Sequence, residues 1–183
     1  MAGHFEYLLV ASPDAAVMEQ VIAEKDFFSA HFNKRIAART KPHITIANFM
    51  AAEEMEPAVI RYMHRVISAH TSFKVTLDQY GAFRPHTIYI RVQDHQPFHE
   101  LARGLKAVDQ FMQGYGCAKM KLVDHPHMTV ARRLDPITYR DAISVYAQKT
   151  FNASFEVKEL LLLKRRDQFD ACRMVNVFGM KSM

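Results

Sequence analysis

The sequence predicts an α+β fold of two lobes, each an antiparallel-rich sheet backed by helices, with a central cleft between them. Three observations carry that expectation. Segments of strand-like alternation are interleaved with segments of helical period along all 183 residues. Pro-His-Ile-Thr-Ile-Ala at 42–47 returns as Pro-His-Met-Thr-Val-Ala at 126–131, 84 residues on, and Ser-Phe-Lys-Val at 72–75 returns as Ser-Phe-Glu-Val at 154–157, 82 residues on. Hydrophobic residues make up 49% and charged residues 23%, with no Gly/Ser/Pro-rich or single-charge run, so residues 1–183 are expected to form one ordered domain of two pseudo-symmetric lobes.

Taken in order, Phe5 to Val10 is rich in β-formers and reads as a strand. Ser-Pro-Asp at 12–14 can then cap a helix running from about Ala15 into the Arg35 region. Lys41 and Pro42 interrupt the chain before the β-branched segment HITIANF. Glu53 and Glu54 open a helical segment through His70, with Val59, Met63, Val66 and Ile67 at helical spacing. FKVTLDQYGAF and HTIYIRV alternate like strands joined around Arg84-Pro85, and Phe98 to Met112 resumes a helical period. After Gly114 and Gly116 come a strand over HMTVARR, a helix from Pro136 to Lys149, and two closing strands, FEVKELLLL and RMVNVFG.

Composition narrows the functional classes. A formal charge of +5 and a pI near 9.2 favour an anionic partner such as a nucleotide or RNA, although a basic surface with no binding role fits as well until motifs are considered. Only Cys117 and Cys172 are present, far apart and outside any CxxC or Cys/His cluster, so neither a disulfide framework nor a structural zinc site is indicated, and a reducing cytoplasm suits the chain best. The apolar N-terminal stretch carries Glu6 and lacks a basic flank, which argues for a strand and against a signal peptide. No apolar run approaches the roughly twenty residues needed to cross a bilayer, so no membrane role is expected.

The repeated motif carries the chemistry. Residues i and i+2 of a strand share a face, so His43 with Thr45, and His127 with Thr129, each present an imidazole and a hydroxyl together, while Ile44, Ile46, Met128 and Val130 turn to the core. By the same alternation Ala47 and Ala131 fall on the polar face, as a small-residue pocket floor. Two imidazoles titrating near neutrality can divide one proton-transfer reaction, one accepting the nucleophile's proton and the other donating to the leaving oxygen. The two threonine hydroxyls can donate to non-bridging phosphate oxygens, and nothing in that scheme requires a metal or cofactor. One His-x-Thr among ten histidines would mean little; two copies, each preceded by Pro and ending in Ala at the same point of a repeat, are hard to assign to chance.

The two motifs, HITI and HMTV, resemble the paired H-x-T-x signatures of the 2H phosphoesterase superfamily, which includes the 2'-5' RNA ligase-like proteins. The resemblance spans nearly the whole chain. It implies a bilobal α+β fold with a central cleft and metal-independent action on 2',3'-cyclic phosphates, 2'-5' linkages or related nucleotide phosphodiesters, and it gives His43, Thr45, His127 and Thr129 the catalytic positions. A monomer acting on a nucleotide or RNA is the expectation, with hydrolysis leading. A nucleotide- or RNA-binding module without catalysis, and 2'-5' ligation as the reverse of cleavage, are the alternatives.

Four further residues are candidates for substrate binding. HMTVAR resembles the family's second motif in the arginine after it, which makes Arg132 a phosphate ligand; strict alternation, however, puts Arg133 on the His127 face, so either a bulge intervenes or the two arginines serve different purposes. Phe83, in the segment GAF, and Tyr89 are similar to a family segment beside the cleft where a ring can stack on a base, although core packing is the reading the residues favour for either ring. Tyr7 alternates with Phe5 and Leu9 and either borders the cleft or fills a sheet face. His125, two residues before His127, completes no recognisable metal site. The run Lys164-Arg165-Arg166 reads as a solvated strand end able to attract RNA.

Overall fold

A computed structural model describes residues 3–35 and 40–183. Two antiparallel sheets lie at its centre. One has five strands: β1 (His4–Ala11), β2 (Ile44–Ala52), β5 (Lys121–Leu122), β8 (Glu159–Arg165) and β9 (Arg173–Gly179), in the order β5-β2-β1-β8-β9. The other has four: β3 (Phe73–Phe83), β4 (Thr87–Val92), β6 (His127–Ala131) and β7 (Asn152–Val157), in the order β6-β4-β3-β7. Helices α2 (Glu56–Ile67) and α3 (Gln96–Gly114) back the five-stranded sheet, and α1 (Ala15–Phe32) and α4 (Pro136–Tyr146) back the four-stranded one. The α+β, two-sheet expectation holds, as does the N-terminal strand, which pairs on both sides within its sheet.

Helix ends follow their capping residues. Asp14 accepts from the Val17 amide at 2.9 Å and starts α1, a cap of the kind that contributes about 1 kcal/mol. The helix stops at Asn33, in left-handed conformation with φ 53°, before the Arg35 region where the pattern placed its end. Proline stands in the first turn of α2, α3 and α4, where a missing N–H costs nothing. No described helix is long and apolar enough to cross a membrane. Cys117 and Cys172 are both free.

Three expectations need correction. FEVKELLLL is not one strand: β7 ends at Val157, β8 starts at Glu159, and the two belong to different sheets. Buried positions run 155, 157, then 160, 162, so the alternation changes parity across Lys158-Glu159, and a strand cannot keep one face buried through such a change. Second, the two Ser-Phe-x-Val copies do not occupy separate lobes. They lie in β3 and β7 of one sheet, with Phe73 opposite Val157 and Val75 opposite Phe155. The five-stranded sheet takes strands from both ends of the chain and the four-stranded sheet takes its strands from residues 73–157, so the sheets are not built from sequential halves.

Third, the basic run at 164–166 is not a single solvated patch. Alternation along β8 sends Lys164 to the helix-backed face, where it is 1% exposed. Burial there disfavours its charge, but the ammonium donates to Glu53 at 2.6 Å and Glu56 at 2.7 Å, and the two carboxylates raise its pKa on balance. Arg165 goes to the opposite face and donates to Glu6 at 2.5 Å.

Candidate active site

The two Pro-His-x-Thr segments come together from different sheets, β2 on one side of the cleft and β6 on the other. Each histidine is held in the same way. His43 Nδ1 lies 2.7 Å from the carbonyl oxygen of Lys41, and His127 Nδ1 lies 2.7 Å from that of His125. A carbonyl only accepts, so Nδ1 carries the hydrogen and Nε2 keeps its lone pair in the neutral ring. The proline between the two bonded residues explains itself here. Pro42 and Pro126, both buried, have a fixed φ and hold the preceding residue extended, which sets that residue's carbonyl against the imidazole two positions on.

Both motif strands contain the same irregularity. Val10 pairs with Thr45 and Leu9 with Ala47, so Ile46 is an extra residue; Tyr89 pairs with Thr129 and Ile88 with Ala131, so Val130 is extra in β6. Each bulge reverses the parity of the residues after it. Ala47 and Ala131, expected beside the histidines, are instead 0% and 1% exposed in the core, and the pocket-floor expectation fails for that reason. The next residues, Asn48 and Arg132, take the face that alternation would have denied them. Ile44, Ile46, Met128 and Val130 do face the core.

The bulge settles the two arginines. Arg132 lies within the electrostatic reach of His43, Lys25 and Glu6, whereas Arg133, in left-handed conformation with φ 57°, donates to the side-chain carbonyl of Gln168 in the β8–β9 loop. The bulge is present, and the two arginines have different surroundings. On the five-stranded sheet, cross-strand partners share a face, which places Glu6, Asn48 and Arg165 with Thr45. Glu6 accepts from Asn48 at 2.6 Å and from Arg165 at 2.5 Å, and the Arg165 bond chiefly holds its carboxyl below the usual range.

Tyr7 is on the other face. It is 1% exposed, stacks on Phe49 with centroids 5.2 Å apart and donates to Glu56 at 2.8 Å, so the cleft-bordering reading is overturned by register: Tyr7 opposes Phe49 and Lys164, not the motif residues. Phe83 and Tyr89 do reach the site. Their rings stack at 4.3 Å, and they flank His127 at 4.8 and 5.2 Å.

These surroundings shift the imidazoles. Burial lowers the pKa of His43, helped by Lys25, Arg132 and His127 and opposed by the bond to Lys41. Burial also lowers that of His127, helped by His125 and opposed by the bond to the His125 carbonyl. Among the described residues no group of three or more His, Cys, Asp and Glu side chains could hold a metal ion.

Gly81 makes room for this arrangement. A Cβ there would meet Tyr89 Cζ at 2.6 Å, and the Tyr89 hydroxyl oxygen, which lies 3.2 Å from His125 Nε2, at 2.7 Å. Gly81→Ala is expected to displace the Tyr89 ring from His127 and to cost about 1–3 kcal/mol of stability. The chemical shifts of the His127 ring and thermal denaturation of the variant check both.

Asn48 and Lys25 were not singled out from sequence, Glu6 entered only as a residue unsuited to a signal peptide, and Arg165 only as part of a solvated basic run. Lys25 had a signal: it occupies the apolar stripe Val17, Val21, Lys25, Phe28 of α1, where a lysine is out of place.

Comparison with known proteins gives the family and the fold. The model of the 2'-5' RNA ligase superfamily matches residues 13–168. The fold is similar to that of E. coli LigT in complex with 3'-AMP, at 18% identity and a TM-score of 0.67, covering 97% of this chain and 98% of that one. It is also similar to TT0787 of Thermus thermophilus, at 16% identity and a TM-score of 0.70, covering 97% and 98%. E. coli LigT in complex with ATP aligns at 17% identity and a TM-score of 0.64, covering 98% and 99%. No curated protein matches the chain in sequence.

Proposed function

This chain belongs to the 2'-5' RNA ligase superfamily of 2H phosphoesterases, and from that premise we propose that it hydrolyses a 2',3'-cyclic phosphate, or a 2'-5' phosphodiester, of a nucleotide or RNA end by two-histidine acid–base catalysis. The observation that carries the reading is the paired anchoring of His43 and His127. Each imidazole has Nδ1 tied to a carbonyl two residues back, which leaves two Nε2 atoms to act on one substrate. The nucleotide complexes of E. coli LigT support a nucleotide substrate.

In this reaction one Nε2 takes a proton from water as the water oxygen bonds to phosphorus. The other, protonated, gives its proton to the ribose oxygen as the P–O bond breaks. Water adds, the ring opens, and a phosphate monoester and a free hydroxyl remain. Thr45 and Thr129 donate to the non-bridging oxygens, Arg132 supplies positive charge for the phosphate, and the Phe83–Tyr89 pair offers a stacking face for the base.

The working form has one imidazole charged and one neutral. Because both pKa values are lowered, that form is most populated on the acid side of the ordinary histidine value of about 6.5. A bell-shaped kcat/KM profile peaking below that value is expected, with the kcat profile shifted to higher pH because a bound phosphate anion favours the charged imidazole. A kcat/KM maximum above about pH 7 would contradict the assignment.

The direct test is incubation with a 2',3'-cyclic nucleotide and a cyclic-phosphate-ended RNA oligomer in excess chelator, with products separated by chromatography. Ring opening that persists in chelator and disappears in His43→Ala supports the reading. Ring opening unaffected by that substitution overturns it, and nucleotide binding without turnover of any cyclic or 2'-5' substrate would make the protein a binding module.

A further inference from the structure

Lys25 is 3% exposed on the inner stripe of α1. Buried lysines are normally paired with carboxylates, since an unpaired ammonium costs several kcal/mol to desolvate. Among the described residues, however, Lys25 enters no ion pair; its ammonium donates to Thr40 Oγ1 at 3.0 Å. The charged groups whose fields meet here are cations or become so: Arg132, which acts on both Lys25 and His43, and His127, which acts on His43. Burial, and then Arg132, lower the Lys25 pKa to about 8, so it remains charged throughout the range in which the histidines titrate.

Two links run from this amine to His43. One is covalent and geometric: Thr40 adjoins Lys41, whose carbonyl oxygen accepts the His43 Nδ1 hydrogen. The other is through space, as the lysine's charge opposes a second charge on the imidazole. We propose that Lys25 is a positioning residue of the two-histidine site, tethering the 40–43 segment that orients His43 and keeping that imidazole uncharged until an anionic substrate enters. The proposal rests on the catalytic reading of the cleft.

A mere packing role would leave the titration of His43 untouched. The experiment is therefore an NMR titration of the His43 and His127 ring protons in wild type, Lys25→Met and Lys25→Arg, with kcat/KM against pH for a 2',3'-cyclic nucleotide. Methionine fills a similar volume without charge, so Lys25→Met is expected to fold. Its His43 midpoint should rise by about one pH unit while that of His127 stays, one limb of the rate profile should move up with it, and Lys25→Arg should restore the wild-type midpoint. An unchanged His43 midpoint, or equal movement of both histidines, overturns the proposal. The titration needs no turnover, so a protein inactive on every cyclic phosphate would still test the Lys25–His43 coupling while failing the functional reading separately.

Discussion

Alanine at His127 is expected to lower kcat for a 2',3'-cyclic phosphate by about 10²- to 10⁴-fold, and alanine at His43 by a similar factor. The double variant should fall little further than the worse single one, because in the proposed reaction the two imidazoles act in one transition state and removing either disables the transfer. The fold should survive, since both rings are partly exposed and their backbone bonds lie outside the core. Circular dichroism with the kinetics of all three variants checks this. A single variant within about threefold of wild type, or strictly multiplicative losses, would mean that the histidines do not share one proton-transfer step.

The second large effect separates two neighbouring residues. Lys164→Ala is expected to cost about 3 kcal/mol of stability, because it leaves Glu56 facing a buried space without its cation. Arg165→Ala should cost less, about 1–2 kcal/mol, since Glu6 is largely buried but keeps the Asn48 amide as a donor, and should in addition raise KM severalfold, because the substitution leaves an unbalanced carboxylate on the face proposed to receive the phosphate. Denaturant unfolding and steady-state kinetics on both proteins decide the matter. Loss of stability in Arg165→Ala and not in Lys164→Ala would contradict the placement of the two side chains on opposite faces of β8.

The bulges show why part of the site was legible and part was not. His43, Thr45, His127 and Thr129 precede the extra residue in each strand, so simple alternation from the motif places them correctly. Ala47, Ala131 and Arg132 come after it, and every parity argument beyond that point inverts. The same limit applies to Lys158-Glu159, where a parity change in the buried pattern was present in the residues but reads, by β-propensity alone, as one strand.

What the sequence determined by itself was local: the capped starts of helices, the strand character of most β segments, and two imidazole–hydroxyl pairs at the same point of a repeated motif. Those come from backbone propensity and from spacing along a single element. Only the tertiary structure decided which strands share a sheet, that Tyr7 and Lys164 turn to the core while Arg165 and Glu6 take the face of Thr45, and that Lys25 of α1 bonds Thr40. These depend on register and on contacts between residues far apart in the chain, where one extra residue in a strand moves a side chain from one face to the other.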